Sequence, residues 1–304
     1  MTTSIHPATL LGHVFLKVAN LENQLAFYQQ ALGFVLHWRE DGRAGLGAGG
    51  LDLLRLAEEP GLKRYQGVTG LYHFAVLFPD RRELARALAR LFSLGVNNDP
   101  TDHIMTKTTY LDDAEGNGIE LYAESPEDGV FKIENDQFVT RRSDGSVSDG
   151  REPLDTDALF SLLKADDRLD LPVPASTRIG HVHLHVRDVE EAVNFYHGVI
   201  GFDLMGMAGS FRAAFVSAGG YHHHIGLNTW KGEGAPPPPE DAAGLRYFSV
   251  ELPDQKALDE VLARLEKGGI PGNQIDAGLL VHDPSQNGMV LTTKPEPGSQ
   301  ERTG

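Results

Sequence analysis

The chain has 304 residues, a formal net charge of −16, 13 histidines and no cysteine. An acidic balance without an offsetting basic patch argues against nucleic-acid binding, and no apolar run approaches the length that crosses a membrane. Without cysteine there are no disulfides and no thiolate metal ligands, which fits the cytoplasm, and no signal peptide is read at the N-terminus.

Val14, Leu16 and Val18 alternate with His13, Phe15 and Lys17, the period of a half-buried strand. Residues 22–32 place Leu25, Tyr28 and Leu32 at helical spacing before Gly33 stops the helix. A second opening strand is predicted over 73–78. A helix over 82–94 follows, with Gly95 as its stop, then a late strand over 107–111. The turn over 113–118 leads into a strand bearing Glu120. Residues 124–176 are rich in charge clusters and Ser-Asp-Gly steps, with a short helix predicted over 157–163. A second polar loop, 231–243, contains four consecutive prolines at 236–239. Loops of this length lid a site or mediate assembly, so a homo-oligomer is one expectation; a plain linker over 136–152 is the other reading.

The chain then repeats itself. Gly12-His13-Val14 through Val18 matches Gly180-His181-Val182 through Val186. Phe27-Tyr28 and Gly33-Phe34 match Phe195-Tyr196 and Gly201-Phe202. Gly70-Leu71-Tyr72-His73-Phe74 pairs with Gly244-Leu245-Arg246-Tyr247-Phe248, and Ala89-Arg90-Leu91 with Ala263-Arg264-Leu265. The order is A-B-A′-B′, each unit reading as βαβββ, and the length suits two cores. Gly-Asn-Gly-Ile-Glu-Leu-Tyr at 116–122 closes unit B. In its second copy, Asn287-Gly288-Met289-Val290-Leu291, the glutamate has become Val290. One live site and one structural site are therefore expected. Phe27-Tyr28 and Phe195-Tyr196 read as helix core.

With its GHV-type strands, Phe-Tyr helices and Gly-Asn-Gly-Ile-Glu-Leu-Tyr ending, the chain resembles the vicinal-oxygen-chelate superfamily, which includes glyoxalases, bleomycin-resistance proteins and extradiol dioxygenases. Four units and Gly219 to Trp230, with its run His222-His223-His224, resemble the two-domain catechol 2,3-dioxygenase branch. The resemblance implies an α+β fold in which four βαβββ units form two vicinal-oxygen-chelate-type domains. These are expected at 8–125 (units A and B) and 177–295 (units A′ and B′), joined by a linker at 126–176.

It also implies a divalent metal, Fe(II) or alternatively Mn(II), held by two histidines and a carboxylate with coordination positions left open for a catechol and O2. Unit B offers His73 and Glu120, whereas B′ has Tyr247 and Val290. The third ligand is His13 from A or His181 from A′. Adjacency in sequence favours His13. The family's acid–base pattern, matched by His222 to Leu227 with His223 at the acid–base position, favours His181. Tyr110, ten residues before Glu120, matches the family's active-site tyrosine. The expected set is thus His73, Glu120 and His181 as metal ligands, with His223 and Tyr110 as catalytic residues. His181, His183 and His185 share one strand face. Alternation predicts that His223 faces away from His222 and His224. The expected activity is extradiol cleavage of a small aromatic diol, a catechol or hydroquinone-type ring, by O2. The alternatives are a glyoxalase-like isomerase or thiol transferase, and a metal-free protein that binds an aromatic drug.

Overall fold

The four predicted units form in chain order in a computed structural model, which describes residues 4–134 and 137–293. Unit A comprises β1 (Leu10–Val18), α1 (Leu21–Phe27), β2 (Val35–Glu40), β3 (Arg43–Ala48) and β4 (Leu51–Glu58). Unit B comprises β5 (Gly70–Leu77), α2 (Arg81–Ser93), β6 (Asp99–Asp102), β7 (Thr106–Asp112) and β8 (Gly118–Glu124). The connection holds β9 (Gly129–Glu134), β10 (Gln137–Arg142), β11 (Val147–Ser148), β12 (Glu152–Pro153) and α3 (Thr156–Phe160). Unit A′ has β13 (Arg178–His185), α4 (Val189–Val193), β14 (Asp203–Ala208), β15 (Ala213–Ser217) and β16 (Ile225–Asn228). Unit B′ has β17 (Gly244–Leu252), α5 (Gln255–Lys267), β18 (Gly272–Ile275), β19 (Gly278–His282) and β20 (Gly288–Thr293).

The alternating strands pair across the halves of the sequence. One sheet runs β18-β19-β20-β17-β1-β4-β3-β2, so A joins B′; the other runs β12-β6-β7-β8-β5-β13-β16-β15-β14, so B joins A′. The seams are antiparallel, β1 on β17 and β5 on β13, with His73 opposite His183. Within each unit the first and last strands are parallel, as β5 is to β8, which the intervening helix makes possible. Side chains at alternate positions of both sheets join the helices in one contiguous apolar core. Each large apolar side chain buried there stabilises the fold by about 1.5–3 kcal/mol.

The helices start where their caps dictate. Asn20, Asp80, Asp188 and Asp254 each accept from the backbone N–H three residues on. The helix predicted over 22–32 is α-helical only to Phe27 and continues as a wider π-turn over Tyr28–Leu32, which Gly33 ends at φ 74°. Unit A′ repeats this at Asn194–Ile200. In both, the tyrosine of the Phe-Tyr pair is fully buried. Tyr28 Oη donates to Asp113 at 2.7 Å and Tyr196 Oη to Asp283 at 3.1 Å.

The connection is ordered where described. β9, β10 and β11 form a three-stranded sheet, β12 adds to the edge of β6, and the short helix spans Thr156–Phe160 rather than 157–163. Asp155 caps that helix by accepting from Ala158 N, which fixes its start earlier than the apolar pattern suggested. Among the described residues no helix is long and apolar enough to cross a membrane.

Candidate metal centre

The turn that closes unit B is built around Asp113. Its Oδ1 accepts from the backbone N–H of Glu115 and Asn117 at 2.9 and 2.8 Å; its Oδ2 accepts from Asn117 Nδ2 and from Tyr28 Oη. Unit A's helix thereby anchors the strand that holds Glu120. Gly118 lies where any Cβ would stand 2.1 Å from the Tyr72 carbonyl, so only glycine lets β8 approach β5 this closely.

That approach, with the β5–β13 seam, brings three donor atoms together. His181 Nε2 is 3.1 Å and His73 Nε2 3.2 Å from Glu120 Oε2, and the two Nε2 atoms are 3.3 Å apart. All three residues are buried, and among the described residues they alone form a cluster with metal-ligand spacing. Glu120 Oε1 is held by Thr108 Oγ1 at 2.9 Å, which leaves Oε2 turned to the imidazoles. Burial alone would raise the Glu120 carboxyl, but the neighbouring His181 and His73 outweigh it and hold it well below the usual range. Burial lowers His181 to about 4, so its imidazole is neutral at pH 7.

The other expected residues surround this trio. Tyr110 sits opposite Glu120 on β7, its ring 5.6 Å from that of His73. His223 packs its ring 4.2 Å from that of His181. His13 lies on the other sheet, against Ser249 and Tyr247. The predicted alternation at 222–224 does not hold. β16 begins only at Ile225, so the three histidines lie on a turn rather than a strand. His222 and His223 both line the cavity, while His224 turns back to Ser217 Oγ at 2.9 Å.

The Glu124 carboxylate sets the tautomers here. The Glu124 carboxylate can only accept, so His222 Nε2, 3.2 Å away, donates to it. His222 Nδ1 is then the acceptor for His223 Nδ1–H at 2.8 Å, which leaves Nε2 as the basic atom of His223. Burial, and then the crowding of other imidazoles beside it, keeps His223 well below its ordinary value and so neutral.

The sequence reading missed His103. The Gly150 carbonyl can only accept, so His103 Nδ1 is the donor to it and Nε2 accepts from Tyr110 Oη at 2.8 Å. Its signal was present, a histidine seven residues before the tyrosine, but its role depends on Gly150, brought in by the connection. Also missed were the walls of the cavity, which is about 1200 Å3 in volume. Tyr72, Phe131, Phe211, Phe215 and Trp230 line it together with the trio. Phe131 belongs to β9 and Arg151 lies just before β12, so the segment read as linker covers the site.

Residues 10–121 and 178–287 match the family model described as Glyoxalase/Bleomycin resistance protein/Dioxygenase superfamily. Catechol-2,3-dioxygenase of Bacillus subtilis (strain 168) is 41% identical over 291 residues, which cover 95% of this chain and 98% of that one. A solved chain from Bacillus subtilis subsp. subtilis str. 168 shares the fold with a TM-score of 0.61 at 13% identity, over 97% of this chain and 86% of that one. Glyoxalase I from Zea mays superposes with a TM-score of 0.56 at 15% identity, over 93% and 92% of the two chains.

Proposed function

The chain belongs to the glyoxalase/bleomycin resistance protein/dioxygenase superfamily, and on that premise we propose that it is a metal-dependent extradiol dioxygenase that opens a catechol or hydroquinone-type ring with O2. The observation that supports this most is the convergence of His73 Nε2, His181 Nε2 and Glu120 Oε2 within 3.1–3.3 Å of one another at the floor of an aromatic-walled cavity. Ligands at right angles on bonds of about 2.1 Å stand about 3.0 Å apart, so the spacing suits a divalent ion. Two imidazoles and one carboxylate on one face are the donor set of non-haem Fe(II) oxygenases; Mn(II) accepts the same set. Bound there, the metal would gather the diol oxygens and O2 at one centre and pass electron density between them.

The protein's own groups do the rest. The aromatic walls orient the ring and exclude water from the reacting oxygens. His223 Nε2, neutral and held by the His222–Glu124 pair, takes a proton from a diol hydroxyl and returns it as the ring opens. Tyr110 directs its proton at His103, so its oxygen presents lone pairs to a substrate hydroxyl. An isomerase of the same fold would use a second carboxylate in the cluster, and among the described residues the cluster contains Glu120 alone. The intact trio also speaks against a metal-free drug binder, since a stacking pocket needs no such set.

Oxygen uptake with catechol by iron-reconstituted protein, followed by the absorbance of the yellow ring-opened product, tests the proposal. Stoichiometric uptake with that product is expected. No uptake with any catechol or hydroquinone at full iron loading overturns it.

A further inference from the structure

At about 1200 Å3 the cavity exceeds the roughly 300–1,000 Å3 that houses a drug-sized ligand, far more room than one diol ring fills. Its spare length has a direction. From the trio, the ring of His73 meets that of His183 at 5.2 Å. His183 meets Trp230 at 5.4 Å, and Trp230 meets Phe211 at 5.3 Å. The guanidinium of Arg151 then lies 4.5 Å above the face of Phe211.

This wall is aromatic, its rings meeting edge to face or tilted rather than coplanar, and two buried imidazole nitrogens along it, His73 Nδ1 and His183 Nε2, have no hydrogen-bond partner among the described residues. Gly226 makes room for the His183 ring, since a Cβ there would stand 2.8 Å from it. At the far end, Arg151 is the sole lysine or arginine among the described residues lining the cavity. Its guanidinium packs on the Phe211 face. Its backbone is fixed: Arg151 N donates to Asp149 Oδ1 at 2.9 Å, and Glu152–Pro153 pairs with β6. Of the nearby carboxylates, Glu152 is already matched by Arg142 and by Ser148 Oγ. The charge of Arg151 reaches inward as far as Tyr72 and Tyr110.

We infer that the preferred substrate is a diol whose ring bears a second flat apolar arm, and that Arg151 reads an anionic group at the end of that arm. This deepens the ring-cleavage reading and rests on it. Face and edge contacts with Trp230 and Phe211, which stand perpendicular to each other, hold the arm, and a guanidinium over an aromatic face is preset for a carboxylate.

The test compares catechol, 4-phenylcatechol and two phenyl-armed catechols ending in a carboxylate or an ammonium. Quenching of tryptophan fluorescence gives Kd without turnover, and oxygen uptake by the iron-loaded protein gives kcat/KM. The uncharged arm is expected to bind about tenfold tighter than catechol, and the carboxylate arm about tenfold tighter again. Arg151→Glu is expected to reverse the carboxylate-over-ammonium preference in both readouts. As an exposed side chain, Arg151 can be changed without loss of folding. Catechol bound as tightly as the arms, or a charge preference unmoved in Arg151→Glu, overturns the inference. Arms bound with the expected order but no ring opening would support the subsite and sink the ring-cleavage reading.

Discussion

The two sheets are the same scaffold filled in two ways. Register makes their centres equivalent: Tyr110 pairs with Glu120 as Leu280 pairs with Val290. His223 stands two residues before the Ile225 that pairs with Val182, as Asp52 stands two before the Leu54 that pairs with Val14. In the B/A′ sheet these positions hold donors that converge on one point. In the A/B′ sheet, the positions of Glu120, Tyr110 and His73 are taken by Val290, Leu280 and Tyr247. The remaining polar groups there bond one another: Asp52 accepts from His37, Trp38 and Arg55, and His13 Nδ1 lies 3.2 Å from Ser249 Oγ. Burial, reinforced by the charge of Arg55, lowers His13 to about 3, close to His181. Desolvation therefore does not distinguish the two histidines. What differs is contact: Glu120 Oε2 stands 3.1 Å from His181 Nε2, whereas Asp52 reaches His13 only through its charge.

The sharpest way to break this comparison is to remove a converging donor. Glu120→Gln, His73→Ala and His181→Ala are each expected to abolish metal retention, measured by elemental analysis of iron-reconstituted protein at about one metal per chain. His13→Ala is expected to keep its metal. Metal loss in His13→Ala with retention in His181→Ala would reverse the assignment of the two sheets.

Next in size is His223→Ala, expected to retain metal and slow ring opening by about 10²–10⁴-fold, the range for loss of a general acid–base group. Asp52, at the equivalent position, should not matter to rate. Equal kinetic damage from Asp52→Asn would mean that the two sheets are not functionally distinct.

A smaller effect is expected from Val290→Ala. Urea unfolding should show a loss of about 1–3 kcal/mol from the emptied core position, with metal content unchanged. A fall in metal content would tie the apolar centre to the live one.

The smallest is pH-dependent. Burial would raise the Asp52 carboxyl, but hydrogen bonds from Trp38 and His37 and the charge of Arg55 bring it below the ordinary 3.8. A carboxyl depressed in the folded state stabilises above its unfolded value and loses that contribution as pH falls through the folded one. The stability gap between wild type and Asp52→Asn should therefore be full at pH 7 and shrink below about pH 4. A gap that is constant with pH would remove Asp52 from the A/B′ ion cluster.

Much of this was legible in the sequence because the chain repeats. The duplicated Gly-His-Val strands, the Phe-Tyr helices and the exchange of Glu120 for Val290 give the unit boundaries and mark unit B as holding donors. His181 could be preferred over His13 because the histidines at 222–224 belong to its own unit. The rest depended on distance in space. Alternation misjudged His222 because the chain bends before β16 starts, and a periodicity rule has no meaning on a turn. His103 has significance only once Gly150 is beside it. The β9–β11 sheet and Arg151 looked like linker because their partners, the walls of the cavity, come from other units.

The exchange of strands between the halves has a temporal consequence. His73 must find His181 across 108 residues of chain, and His13 must find Ser249 across 236. During synthesis, β1 and β5 each emerge with one edge bare, waiting for a neighbour not yet made. Unpaired edges of alternating apolar strands invite the wrong partner, and contacts so far apart in sequence form slowly. The first half of this protein thus emerges without the strands that complete either of its sheets. Severed within the connection, the two halves should recover a complete centre only by finding each other, at a rate that depends on concentration.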